Sequence, residues 1–146
     1  MDVWRISNYV DLSGTGGIRA AGRWHSRGKR IVYVADHPAN ALLEMLVHLD
    51  RDIIPTTYRL LRVAIPETIA IEHIGDGMLP SDWRNHPAIT RALGDVWLGK
   101  ASSALLRVPS VIVPSAWNFL LNPAHPDAAK VAIKQVVEAP FDPRLV

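Results

Sequence analysis

The sequence contains no cysteine, which excludes disulfide bonds, thiolate zinc sites and cysteine nucleophiles and agrees with a reducing, cytoplasmic location. The six histidines show no H-x-H or H-E-x-x-H spacing, so we expect no metal centre. A G-x-S-x-G motif is absent, and the acidic residues are scattered singly instead of being paired as in ordinary glycosidases. The first residues, MDVWRISNYV, lack the basic and apolar regions of a signal peptide.

The composition is that of one globular domain. The 146 residues are 49% hydrophobic and 21% charged, and we expect a single domain over residues 1–146. The net charge of +2 is too small to argue for direct nucleic-acid binding. The stretch 108–126 has no Asp, Glu, Lys or Arg, but it contains four prolines. It therefore predicts a strand and loops, and not a membrane-spanning helix.

Acidic residues are also absent from 12–35, where five cations occur: Arg19, Arg23, Arg27, Lys29 and Arg30. A solvated basic loop would explain them. The alternative is an anion site for a phosphorylated small molecule, because arginine binds phosphate bidentately. The neighbouring SGTGG does not complete a dinucleotide-binding G-x-G-x-x-G motif, because Arg19 stands at the position of its third glycine.

The pattern of apolar residues and turns predicts an α+β domain. Strands are expected at about 31–35, 58–65, 68–73, 105–113 and 132–138, and helices at 38–50 and 88–98. The two kinds of element do not alternate regularly, which disfavours a doubly wound sheet. Asp36 is expected to cap the first helix, whose core-facing stripe is Leu42, Leu43, Leu46, Val47 and Leu49. The second helix is expected to show Ile89, Leu93 and Trp97 at four-residue spacing.

Arg23, Tyr33 and Glu44 are the residues that suggest chemistry. Taken singly, Tyr33 is as well explained by packing, and Glu44 by an ion pair with His48 one helical turn away. Taken together, an arginine that holds a pyrophosphate and a carboxylate that stabilises an oxocarbenium ion suit cleavage of a nucleotide's N-glycosidic bond.

Long blocks of the sequence resemble the RES domain family. They are VWRIS, GRWHSRGKRIVYVADHPANALLEMLVHLD, LLRVPSVIVPSAWNFLLNPAHPD and FDPRL, in the family's order and over nearly the whole chain. The family is named for an arginine, a glutamate and a serine, which the blocks place at Arg23, Glu44 and Ser110. Tyr33 matches the family's active-site tyrosine, and Ser115 is the less favoured serine. Ala21 stands where a second glycine is common.

The resemblance implies a single domain similar to ADP-ribosyltransferases, with a mostly antiparallel sheet and flanking helices. It also implies a toxin that degrades NAD+ and is neutralised by an Xre-like antitoxin, which we expect to cover the active cleft. NAD+ is then the substrate, and neither a metal nor a further cofactor is required. Two alternatives stay open: transfer of ADP-ribose to a specific protein, and a non-catalytic nucleotide-binding module.

For cleavage of NAD+ we assign a role to each of these residues. Arg23 holds the phosphates, and Tyr33 stacks on or bonds the nicotinamide–ribose end. Glu44 stabilises the oxocarbenium charge, and Ser110 bonds Glu44 or the nicotinamide amide. Supporting substrate contacts are expected from Arg19, Arg27, His48 and Asn118.

Overall fold

The computed structural model describes residues 1–146 as seven strands and three α-helices. The strands are β1 (Asp2–Ile6), β2 (Val32–Ala35), β3 (Thr57–Ala64), β4 (Ile71–His73), β5 (Leu105–Pro109), β6 (Trp117–Leu121) and β7 (Ala132–Pro140). The helices are α1 (Thr15–Arg19), α2 (Pro38–Val47) and α3 (Pro87–Lys100). Four short 3-10 helices, at Asp76–Met78, Trp83–Asn85, Pro126–Lys130 and Pro143–Leu145, lie in the connections.

All seven strands form one sheet in the order β4-β5-β6-β2-β1-β3-β7. Every neighbouring pair is antiparallel except β4 and β5. The expected α+β class and the mostly antiparallel sheet are therefore confirmed.

The sheet separates two hydrophobic clusters. One contains Phe119 and Leu121 of β6, together with buried side chains of β1, β2 and β3. The other contains Leu120 of the same strand and three tryptophans, Trp24, Trp83 and Trp97. Because successive side chains of a strand point to opposite faces, the two clusters occupy the two faces of the sheet. We call the face with the tryptophans the tryptophan face.

Two of the strands were not predicted, and two others, β4 and β5, are shorter than the predicted 68–73 and 105–113. The strand β1 is only five residues long, and β6 lies in the part of the uncharged stretch that follows the predicted strand 105–113, where we expected loops. The strand β5 ends at Pro109, because the next residue, Ser110, turns the chain by accepting hydrogen bonds from the N–H groups of Ile112 and Val113. No helix is both long and apolar enough to cross a membrane.

The helix α2 begins at Pro38, as expected, but its cap was predicted wrongly. The side chain that accepts the N–H of Ala39 belongs to His37, whereas Asp36 binds the backbone N–H of Trp117. The core-facing stripe was also predicted too broadly. Leu43 and Val47 are 38% and 58% exposed, and the residues that α2 buries are Asn40 and Ala41.

The helix α3 packs on the tryptophan face through one polar, one small and one large aromatic residue. Its buried residues are Thr90, Gly94 and Trp97, whereas Ile89 and Leu93 of the expected stripe are more than a third exposed. Gly94 permits a very close approach, because a methyl group there would overlap the backbone carbonyl of Trp24. This contact joins α3 to the segment that carries Arg23.

Candidate active site

The segment 22–26, which contains Arg23, is held along its length by one face of α3. Thr90 Oγ1 donates to the Arg23 carbonyl at 2.6 Å, and Arg91 Nε donates to the Gly22 carbonyl at 2.8 Å. Asp95 accepts the Ser26 N–H at 2.9 Å and the Ser26 hydroxyl. Residues four apart on a helix share a face, so this face of α3 forms a fixed bed for the segment.

The guanidinium of Arg23 is half-buried and only partly satisfied. Its Nη2 donates to the Arg84 carbonyl at 3.1 Å, whereas the solvent-shielded Nη1 has no hydrogen-bond partner. Burial lowers the pKa of Arg23, Arg91 lowers it further by repulsion, and Glu44 raises it by attraction. Two cations and one carboxylate thus share this site, although Arg23 and Glu44 form no ion pair.

The carboxylate of Glu44 is oriented by a chain of polar groups. Its Oε1 accepts a hydrogen bond from Asn118 Nδ2 at 3.0 Å. The amide of the buried Asn40 lies within hydrogen-bond distance of Asn118 Oδ1 and Asp36 Oδ1, at 3.3 and 3.1 Å. The other oxygen of Glu44 has no hydrogen-bond partner in the protein. The expected pair with His48 does not form, and Glu44 is left with one fixed oxygen and one free oxygen.

The hydroxyl of Tyr33 anchors the segment of Arg23. It accepts the N–H of Trp24 at 3.1 Å and lies 2.7 Å from Nδ1 of the buried His25. Nε2 of His25 faces two carbonyl oxygens and so carries the proton, which leaves Nδ1 to accept from Tyr33 when the ring is neutral. Burial raises the pKa of Tyr33 far above its ordinary value. Gly22 is required beside this hydroxyl, because a Cβ there would lie 2.5 Å from it.

Ser110 is almost completely buried, at 1% exposure, and its oxygen accepts the two N–H groups of the turn after β5. It makes no hydrogen bond with Glu44, so the structure does not contain that form of its expected role. A contact with the nicotinamide amide stays a prediction. The alternative, Ser115, is exposed and has a left-handed backbone with φ 68°.

Three of the expected supporting residues lie at the surface. Arg19 is the last residue of α1, Arg27 follows the segment 22–26, and His48 ends α2. None makes a side-chain hydrogen bond or an ion pair in the structure, and their substrate contacts stay predictions. The fourth, Asn118, contacts Glu44 directly.

A cavity of about 510 Å³ lies apart from these residues. Its walls include Arg107, whose guanidinium stacks 3.7 Å above the ring of Trp117, and also Phe119. None of the predicted site residues lines it. Because Trp117 and Phe119 point away from the face that carries Asn118, this cavity lies on the opposite side of the sheet from Glu44.

Three residues of the candidate site were missed by the sequence analysis. Asn40 was hidden within an apolar helix, and His25 was counted only among the histidines without metal spacing. Arg91 was not singled out within the predicted helix 88–98. Two features of the sequence could have indicated them. One is the single Asn among the apolar residues of α2, and the other is the four-residue spacing of Thr90 and Gly94 in α3, which is too polar for a core-facing stripe.

The overall fold is similar to that of one chain in a solved toxin–antitoxin complex. The chain superimposes with a TM-score of 0.77 on a chain in the crystal structure of the M. tuberculosis MbcT–MbcA toxin–antitoxin complex, at 16% identity and over 95% of this chain and 84% of that one. Fold and site together define an α+β domain in which a glutamate attracts an arginine of a basic segment.

The sequence matches the RES domain over residues 2–142, and the chain belongs to the RES domain family. It is 48% identical to Toxin Res of Pseudomonas putida (strain KT2440) over 99% of both chains. It is also 38% identical to the Prs ADP-ribosylating toxin of Sphingobium sp. (strain YBL2), over 98% of this chain and 95% of that protein. The family inferred from the sequence blocks is therefore confirmed.

Proposed function

We propose that this chain is the toxin of a bacterial toxin–antitoxin pair and acts by cleaving the nicotinamide–ribose bond of NAD+ in the cytoplasm. Its similarity over nearly full length to proteins named as toxins supports the first part. The observation that carries the second part is the geometry of Glu44. One carboxylate oxygen is fixed by Asn118 and the other is free. Arg23 lies on the same side of the sheet, and its Nη1 has no hydrogen-bond partner.

In the proposed reaction, the bond between ribose C1′ and the nicotinamide nitrogen breaks and its electron pair returns to the pyridinium ring. Nicotinamide therefore leaves as a neutral molecule. The free oxygen of Glu44 stabilises the positive charge that develops on the ribose and binds a ribose hydroxyl. Water, or phosphate in phosphorolysis, forms the new bond to C1′. When water attacks, it loses a proton and the products are ADP-ribose, nicotinamide and H+.

The experiment that tests this function is nicotinamide release from NAD+ by the purified protein and by Glu44→Gln. Gln keeps the hydrogen bond from Asn118 but removes the negative charge. Loss of one well-aimed electrostatic group costs on the order of a hundredfold in rate or more. The matched control is Glu67→Gln, because Glu67 is 90% exposed and contacts only the chain's N-terminus. Equal release by wild type and a folded Glu44→Gln protein would contradict the assignment.

A second candidate function is transfer of ADP-ribose to a specific protein. The similarity to a protein named as an ADP-ribosylating toxin favours it. The two functions share bond cleavage and differ in the acceptor. Incubation with NAD+ labelled in its ADP-ribose part, with and without phosphate and with cell extract, separates them. Label in free ADP-ribose indicates hydrolysis, and label in its phosphate ester indicates phosphorolysis. Label on one protein band indicates protein modification.

An antitoxin of the Xre-like type is the partner that we propose for this chain, placed over the active cleft. Exposed apolar side chains on the helix of Glu44 and in the segment after it support a protein partner there: Leu43, Val47, Ile53 and Ile54 are 38–74% exposed. We expect the chain expressed alone to stop growth and deplete NAD+, and its genetic neighbour to restore growth. Ile53→Asp should weaken the complex and leave NAD+ cleavage unchanged. Normal growth and normal NAD+ levels with the active chain alone would refute the toxin function.

A further inference from the structure

Arg91 lies on the face of α3 that holds the segment of Arg23. Its guanidinium has no anionic partner. Its Nε is fixed by the Gly22 carbonyl at 2.8 Å, whereas its two Nη groups make no hydrogen bond within the protein. A guanidinium that is held through Nε keeps its plane fixed and presents both Nη groups in one direction. Arg91 is thus oriented before any ligand arrives.

The neighbouring Arg23 shows the same incomplete pairing. Its Nη1 is shielded from solvent and has no acceptor, which is costly for a cationic N–H group. No carboxylate forms an ion pair with either arginine, and Arg91 repels Arg23 strongly enough to lower its pKa. Two neighbouring guanidinium groups that form no ion pair with a carboxylate are stabilised by an anion that accepts from both.

Close contacts of α3 with the segment of Arg23 keep these two arginines near each other. Thr90, directly before Arg91, donates to the carbonyl of Arg23, and Gly94 lets the helix backbone touch Trp24. These contacts fix α3 against the segment of Arg23. The two guanidinium groups are then oriented by hydrogen bonds to backbone carbonyls, from Arg23 Nη2 to Arg84 and from Arg91 Nε to Gly22. Such a rigid pair selects a ligand with two adjacent phosphate groups over a ligand with one.

We propose that Arg91 and Arg23 together form a clamp for the diphosphate of a dinucleotide, with Arg91 contacting the phosphate oxygens directly. This inference rests on the proposed function for the identity of the ligand as NAD+. It adds a second phosphate-binding residue from a helix far away in the sequence, and it assigns to α3 the selection of diphosphate ligands. Glu44 attracts Arg23 electrostatically, so a diphosphate held by the clamp brings its ribose towards the carboxylate of Glu44.

The test uses calorimetric titration of the whole protein with ADP-ribose, which has the diphosphate but no bond to cleave, and with adenosine, which has no phosphate. We expect Arg91→Ala to bind ADP-ribose at least tenfold more weakly than wild type and to bind adenosine equally well. Arg91→Lys should lie between them, because it keeps the charge but loses the fixed fork. The matched control is Arg59→Ala, which removes an exposed arginine of β3 whose Nη1 contacts only the Asn8 carbonyl.

Three outcomes would overturn the clamp: no binding of ADP-ribose by wild type, binding by Arg91→Ala within twofold of wild type, or equal losses for ADP-ribose and adenosine. The last would mean that Arg91 only supports the segment of Arg23. In NAD+ cleavage, Arg91→Ala should raise KM with a smaller change in kcat. Arg91-dependent binding of ADP-ribose by a wild-type protein that releases no nicotinamide would refute the proposed function and uphold the clamp.

Discussion

Replacement of Gly94 by alanine is expected to separate α3 from the segment that carries Arg23. The added methyl group would overlap the Trp24 carbonyl, a backbone group that cannot rotate away. Overpacking of this kind costs about 1–3 kcal/mol. The displacement also weakens the hydrogen bonds of Thr90 and Arg91 to the segment, each worth about 1 kcal/mol or more. Alanine returns about 1 kcal/mol through its helix propensity.

The net expectation for Gly94→Ala is therefore a loss of about 2–4 kcal/mol in the free energy of unfolding, by the overpacking and hydrogen-bond magnitudes above. Gly99 provides the control, because it lies on the same helix and a methyl group there meets nothing within 4 Å. Gly99→Ala should gain about 0.5–1 kcal/mol. Urea unfolding of both variants, with nicotinamide release measured on the same samples, gives the comparison. If Gly94→Ala is as stable and as active as Gly99→Ala, the close docking of α3 is wrong.

Three further predictions concern groups around the site. Ser110→Ala should lower the free energy of unfolding by about 1–3 kcal/mol, because two N–H groups lose their acceptor, and should reduce NAD+ cleavage. Ser115→Ala should change neither. The reverse pattern would identify Ser115 as the serine of the site. Tyr33→Phe should lower thermal stability and activity together, and full activity would show that its hydroxyl does not position the site. Asp95 has its pKa lowered by the hydrogen bonds from Ser26, against the effect of burial, so its stabilisation is present above the ordinary pKa of 3.8 and is lost as the pH falls through the folded value. In denaturant titrations Asp95→Asn should therefore be less stable than wild type at pH 7, and this difference should shrink as the pH falls below 3.8. A pH-independent difference would contradict the ionic role.

The elements that could be predicted from the sequence are those with a strong local signal. The β-branched run before Ala35 formed β2, and Pro38 marked the first turn of α2 as expected. The strand β6 was missed because its pattern alternates Trp117, Asn118 and Phe119 among prolines, and its pairing with β2 and β5 is decided by residues far away. Sheet pairing is a long-range property that a local pattern does not record.

The candidate site was predictable in its residue types and not in its connections. Glu44 was identified, but its partner is Asn118, and not the His48 that helical spacing suggested. Arg23 was identified, but the helix that positions it was expected to face the core with Ile89 and Leu93. In both cases the deciding contact joins residues that are more than sixty positions apart.

That separation has a consequence for the order in which the molecule becomes active. Arg23, Tyr33 and Glu44 all lie in the first third of the sequence, yet Arg23 is positioned by Thr90 and Glu44 by Asn118. Contacts of such long sequence separation form only after the intervening chain has collapsed. During synthesis the growing chain therefore carries its reactive groups without the scaffold that aligns them. Assembly of the site must wait until β6 has left the ribosome, and we expect a chain cut short before Asn118 to lack the aligned site.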